Sequence, residues 1–150
     1  MQRITPFLWF KDKAFEAATF YTSIFENSKI LSTSPMSTRF RIEGLEYIAF
    51  NGGPALKINP AISLFITCAT QKEVDYYWRR LSAGGKVVQC GWVRDKFGVS
   101  WQVVPEILGD LLGDPDRAKA DRAMKAMLGM KKLSIHGLMR AHAGKTRAGK

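Results

Sequence analysis

Apolar and polar residues follow two periods along this chain, and the two periods occur in the same order twice. Residues 4–10 form an apolar run rich in aromatics, the pattern of a buried strand, with Pro6 marking an edge or irregular start. After the polar Lys11-Asp12-Lys13, Ala14, Ala17, Ala18, Tyr21 and Ile24 fall at i, i+3, i+4, i+7 and i+10. Side chains so spaced share one face of a helix, which predicts an amphipathic helix ending near Phe25, before Asn27-Ser28. Strand-like stretches follow at residues 29–32, 38–42 and 47–51, with Glu43-Gly44 as a turn.

The order then restarts. Residues 62–68 are apolar and β-branched, as in a strand. Thr70, with Glu73 three positions on, makes a capping box, and Val74, Tyr77, Trp78 and Leu81 repeat the helical face. Ala83-Gly84-Gly85 stops this helix, and strands are expected at 87–89, 91–94 and 99–104, with Lys96-Phe97-Gly98 as a turn. Ile4-Thr5-x-Phe7 aligns with Ile62-Ser63-x-Phe65 at an offset of 58 residues, and the helical faces align at 57. Gly44 and Gly98 each precede the last strand of a unit. The expected fold class is therefore α+β, built from two βαβββ modules at about residues 1–55 and 56–105. Helices are expected over 106–140: a short one from Glu106, one starting with Asp114 as N-cap and Pro115 in first helical position, and a weaker one at 133–139. Residues 141–150 read as a basic, frayed tail.

Composition adds exclusions. With 46% hydrophobic and 24% charged residues in 150, the chain has enough core for one domain built from two modules, and a disordered, collagenous or disulfide-stapled protein is excluded. No apolar run approaches the roughly 20 residues of a membrane span, and no secretory leader is visible. Cys68 and Cys90 form no CxxC and no Cys/His cluster, so they read as reduced thiols of a cytoplasmic protein. The formal charge is +10, but residues 131–150 hold six Lys and Arg and no acid, while residues 1–130 hold 17 against 13. His136 and His142 lie outside the repeat and are expected to face solvent.

Several segments carry a family resemblance. They are Ile4-Thr5-Pro6-Phe7-Leu8-Trp9-Phe10, Phe50-Asn51-Gly52-Gly53-Pro54, Ala61-Ile62-Ser63 and Glu73-Val74-Asp75-Tyr76-Tyr77-Trp78. Gln89-Cys90-Gly91-Trp92, the block Asp95-Lys96-Phe97-Gly98-Val99-Ser100-Trp101-Gln102-Val103-Val104-Pro105 and Met124-Lys125-Ala126-Met127-Leu128 add to them. Over about the first 133 residues the chain resembles the PhnB-like branch of the vicinal oxygen chelate superfamily, with its glyoxalases and bleomycin-resistance proteins. This branch often carries the name 3-demethylubiquinone-9 3-methyltransferase. No Gly-x-Gly occurs in the chain, so the glycine-rich turn of a nucleotide-type cofactor site is missing and a methyltransferase is not expected.

The resemblance implies paired modules, dimers that complete a cleft, and in active relatives one divalent metal held by His, Glu or Gln on the first and last strands of each module. Here the matching positions are Thr5 and Ser63 on the first strands and Gln102 on the last strand of the second module. The partner of Gln102 is Ile48, or Ala49 if the register differs by one. Two hydroxyls, an amide and an apolar group compete poorly with the hydration shell of a divalent cation, so neither metal nor other cofactor is expected.

The candidate ligand-pocket residues are Thr5, Phe7, Asn51, Ser63, Trp92 and Gln102. Asn51 serves equally as a turn-former, Trp92 as a core or dimer-contact residue, and Ser63 and Gln102 as buried polar groups bonded to each other or to water. The reading is a metal-free small-molecule-binding protein, a homodimer, with no membrane partner. The alternative is a lyase or isomerase with a non-standard metal or none. A third reading gives the basic tail a nucleic acid, which the folded body does not call for.

Overall fold

The computed structural model describes residues 2–145. The chain divides into two compact units, Met1–Pro60 and Ala61–Lys150.

The first unit runs β1 (Phe7–Phe10), α1 (Ala14–Ile24), β2 (Ser28–Thr33), β3 (Ser37–Ile42) and β4 (Leu45–Asn51). Its sheet has the order β1-β4-β3-β2, with β1 parallel to β4 and the other pairs antiparallel. Glu43 (φ 50°) and Gly44 (φ 82°) form the two-residue loop between the paired Ile42 and Leu45, and two consecutive positive φ angles suit the twist of a tight hairpin. The helical stripe read from the sequence packs as expected: Ala14, Ala17, Ala18, Tyr21 and Ile24 are all buried. Alternation along the strands brings Phe10, Phe40, Ile42, Tyr47 and Ala49 to the same side of the sheet, all buried, under α1. Phe40 stacks on Tyr47 with centroids 5.2 Å apart and lies 5.9 Å from Tyr21.

The expected buried strand over residues 4–10 is shorter and half open. Pro6 has no N–H to give, so β1 starts at Phe7, although the Pro6 carbonyl accepts from the Ile48 N–H at 2.9 Å. The helix covers only one face, so Phe7 remains 55% exposed and Ile4 88%.

The second unit repeats the plan with β5 (Ser63–Cys68), α2 (Gln71–Ser82), β6 (Lys86–Val87), β7 (Trp92–Arg94) and β8 (Ser100–Pro105). The sheet order is β5-β8-β7-β6, with β5 parallel to β8. The capping box forms: Thr70 accepts from the Glu73 N–H at 3.2 Å, and the Glu73 carboxylate accepts from the N–H of Ala69 at 2.7 Å. Val74 and Leu81 of α2 are fully buried, as are Val93 and Val103 of the sheet. Cys68 is buried too, and burial, reinforced by the Glu73 charge, pushes its thiol up to about 11. The β7–β8 turn is organised by Asp95, 2% exposed, whose carboxylate accepts from the Phe97 and Val99 N–H groups and from Trp101 Nε1 at 2.8, 3.1 and 2.8 Å.

Three helices follow, α3 (Ile107–Leu112), α4 (Arg117–Leu128) and α5 (Ile135–His142). They share a core of Val104, Leu108, Leu111, Ala123, Leu133 and Leu138. The expected cap at Asp114 is corrected: the cap of α4 is Asp116, whose side chain accepts from the Ala118 and Lys119 N–H groups. Asp114 instead turns the chain across Pro115 by accepting from the Asp116 N–H at 2.8 Å. Its other oxygen lies 2.7 Å from His142 Nε2. His142 is therefore not the solvent-facing residue expected, since its side chain is 19% exposed; His136 is exposed. Residues 141 and 142, expected to fray, complete α5, and Arg122 donates to the Ala141 and His142 carbonyls at 3.1 and 2.9 Å. At its other end α5 is held by Ser134, which caps Gly137, and by Gln71 of α2, which accepts from the Ile135 N–H at 2.8 Å and donates to the Leu133 carbonyl at 3.0 Å. The rest of the expected tail, residues 146–150, lies outside the described residues.

Candidate functional site

In each unit the helix covers one sheet face, and the candidate chemistry sits on the other. In the first unit that second face carries Phe7 and Trp9 of β1 and Ile48 and Phe50 of β4, placed in register as Phe7↔Ile48 and Trp9↔Phe50. Phe50 lies between the two aromatics, 5.1 Å from Phe7 and 5.3 Å from Trp9. Strand parity from Ile48 to Phe50 was the available signal for Phe50, which was not singled out. Trp9 is fixed by its Nε1 donating to the Gly53 carbonyl at 3.0 Å. Its ring passes so close to Gly52 that a Cβ there would sit 2.2 Å from Cε2, so glycine is required. Thr5 precedes β1 and is half-buried. Asn51 is placed elsewhere: it has the parity of Tyr47 and Ala49 and points to the helical side. There its Oδ1 accepts from the Ala14 N–H at 2.8 Å and its Nδ2 donates to the Pro35 carbonyl at 3.1 Å. It thus caps α1, whose own Lys13 makes no side-chain cap.

In the second unit three adjacent strands bring Phe65, Gln102 and Trp92 into one row, through the pairs Phe65↔Gln102 and Trp92↔Gln102. Gln102 Nε2 donates to the Ser63 hydroxyl at 3.0 Å, one of the two uses foreseen for this pair. Phe65 is 58% exposed, while Ser63, Trp92 and Gln102 are half-buried. An aromatic floor with an oriented amide and hydroxyl can grip a flat molecule by stacking and hold one polar group of it.

The register settles the repeat alignment. Phe65 pairs with Gln102 as Phe7 pairs with Ile48, so Ile48 and not Ala49 is the counterpart of Gln102. The positions that would hold a divalent metal are thus Thr5 and Ile48 in the first unit and Ser63 and Gln102 in the second. This set has no carboxylate and no imidazole, and its one amide is already bonded to its one neighbouring hydroxyl, so it does not fit a divalent cation. Among the described residues no group of three or more His, Cys, Asp or Glu is placed to hold a metal. On the open face of the first sheet, the Glu46 carboxylate lies 3.5 Å from both Arg39 and Arg41.

Two mixed four-stranded sheets, each with its first strand parallel to its last and a helix between the two in sequence, define the glyoxalase and bleomycin-resistance class of α+β fold. The chain belongs to the family described as 3-demethylubiquinone-9 3-methyltransferase, whose model matches residues 2–104. It is similar to the PhnB protein of Bacillus cereus, with 33% identity, a TM-score of 0.64, and coverage of 69% of this chain and 99% of that one. A fosfomycin resistance protein of Listeria monocytogenes, solved with Mn(II) and sulfate, shares the fold at 22% identity and TM-score 0.52, covering 67% of this chain and 86% of that one. A glyoxalase-related enzyme of Fulvimarina pelagi does so at 13% identity and TM-score 0.50, covering 69% and 88%. Among curated proteins none matches the chain.

Proposed function

We propose that this protein is a metal-free small-molecule-binding protein of the PhnB-like type that works as a homodimer. The observation carrying the reading is the second unit's open face, where Phe65 and Trp92 flank Gln102 in one row and Gln102 is oriented by Ser63. Stacking supplies the affinity and the amide carbonyl accepts a hydrogen bond from the ligand. The donor set supports the absence of a metal, in contrast to the Listeria protein solved with Mn(II). No strand of the second sheet carries an acid or histidine, so a lyase or isomerase would have Lys86 as the sole strand residue of that face suited to proton transfer. The family's name does not change this, because the glycine-rich cofactor turn of a classical methyltransferase has no counterpart in a sequence without Gly-x-Gly.

The dimer rests on the family resemblance and on the two strands β1 and β5, each at an edge of its sheet and flanked by the exposed Ile4 and Ile62. The test combines elemental analysis of purified protein with light scattering and native mass spectrometry. The expected result is a dimer without stoichiometric divalent metal that retains a small organic molecule, and Gln102→Ala releases that molecule. One equivalent of Mn, Zn, Fe or Ni surviving dialysis overturns the metal-free reading, and a monomeric mass overturns the dimer.

A further inference from the structure

On the open face of the second sheet, the row next to Phe65–Gln102–Trp92 runs Ser63–Ser100–Arg94–Lys86, since Ser63 pairs with Ser100, Ser100 with Arg94 and Arg94 with Lys86. Arg94 and Lys86 are both exposed and stand directly opposite each other across an antiparallel pair. Like charges in that position repel and weaken the pairing. The neighbouring carboxylate does not relieve them. Asp95 points the other way, buried, with its oxygens accepting from Phe97, Val99 and Trp101. The strand position facing Arg94 from β8 is a serine. The first unit has the same row, with Lys29 opposite Arg41, but there Glu46 faces Arg41 and offsets the charge at 3.5 Å. The Lys86–Arg94 pair thus has no strand carboxylate facing it, unlike the Lys29–Arg41 pair, and presents two cationic donors to an anion on one face.

Resting on the small-molecule reading above, we infer that the ligand of this face is a flat apolar molecule bearing an anionic group: Phe65 and Trp92 take its body, and Arg94 with Lys86 takes its carboxylate, sulfonate or phosphate. Trp92 and Arg94 point to the same face two residues apart, about 7 Å along the strand, which matches an aromatic body one ring away from its charge. A guanidinium and an ammonium side by side give several donors to one anion, and such charge-assisted bonds are stronger than neutral ones.

The probes are 1-naphthalenesulfonate and its uncharged analogue 1-naphthalenemethanol, titrated by calorimetry into the full-length protein at low and at physiological salt. The sulfonate is expected to bind more tightly than the alcohol, with the margin shrinking as salt rises. In the double variant Arg94→Gln/Lys86→Gln, sulfonate affinity is expected to fall about tenfold or more, with alcohol affinity unchanged. The thermal midpoint of the probe-free variant is expected to hold or rise, because the repulsion is gone. If the alcohol binds as well as the sulfonate, or the double variant keeps the preference, the anion inference is overturned and the small-molecule reading stands. A lower midpoint in the probe-free variant also overturns it, by assigning the pair a structural role. If neither probe binds this face in the unmodified protein, as read by an unchanged isotherm in Trp92→Ala, both readings are overturned.

Discussion

Asp95 holds the β7–β8 turn from inside. One buried carboxylate satisfies two backbone N–H groups of the β7–β8 turn and the indole of Trp101, which is itself 2% exposed. Removing it leaves three donors without acceptors in a site closed to water, so Asp95→Ala is expected to cost about 3 kcal/mol or more in denaturant unfolding. Asn51 illustrates a different separation. As the cap of α1 it is worth about 1 kcal/mol, so Asn51→Ala should lower the thermal midpoint while leaving 1-naphthalenemethanol binding unchanged. Cys68 is predicted to be inert. Its thiol, pushed up to about 11 by burial, is overwhelmingly protonated at neutral pH, so iodoacetamide should spare it in the native protein and label it only after unfolding. Of the six candidate residues, Ser63, Gln102 and Trp92 share one sheet face and Phe7 lies on the open face of its own sheet, while Thr5 stands before its strand. Asn51, expected as a pocket residue or a turn-former, caps α1 instead, and the sequence did not show this because its partner, the Ala14 N–H, is 37 residues away.

At the scale of elements, α5 is tied down by groups distant in sequence. Asp75 of α2 pairs with Lys132 at 2.9 Å, and Asp114 pairs with His142 at 2.7 Å. Both carboxyls lie below the usual range. The Gln71 amide and then Lys132 hold Asp75 down, and the Asp116 N–H and then His142 hold Asp114 down. A folded-state pKa below the unfolded value of about 4 means that these bonds stabilise the helix above that pH and are lost as pH falls through the folded value. Acidification below about pH 4 is therefore expected to loosen α5 first, seen as faster amide exchange at Ile135, Leu138 and Ala143 than in α2. The strand and helix periods were legible because burial on one face writes itself as a repeat of two or 3.6 residues. The cap of α4 was not, because Asp114-Pro115-Asp116 offers two aspartates: the second caps α4, while the first accepts from the Asp116 N–H and pairs with His142.

At the scale of the molecule, charge and core converge on the C-terminal helices. Residues 117–150 carry ten Lys and Arg against one acid, while residues 1–116 carry thirteen against twelve. Within the described residues the basic segment packs on the fold: α4 and α5 belong to a core that includes Leu133 and Leu138, both fully buried. A chain ended after residue 130 loses both leucines, and at about 2 kcal/mol each its stability is expected to fall by about 4 kcal/mol, read as a lower midpoint in thermal unfolding.

The modules, their order, the stripes that become buried and the class of fold all follow from local periodicity and from a repeat along the chain. The donor chemistry of Thr5, Ser63 and Gln102 is likewise read from the chain. Strand pairing in the folded chain is what makes Ile48 the counterpart of Gln102, turns Asn51 toward a helix, and sets Arg94 opposite Lys86 on the side of Trp92. Those facts depend on strand register, and a slip of one residue would send every side chain to the opposite face.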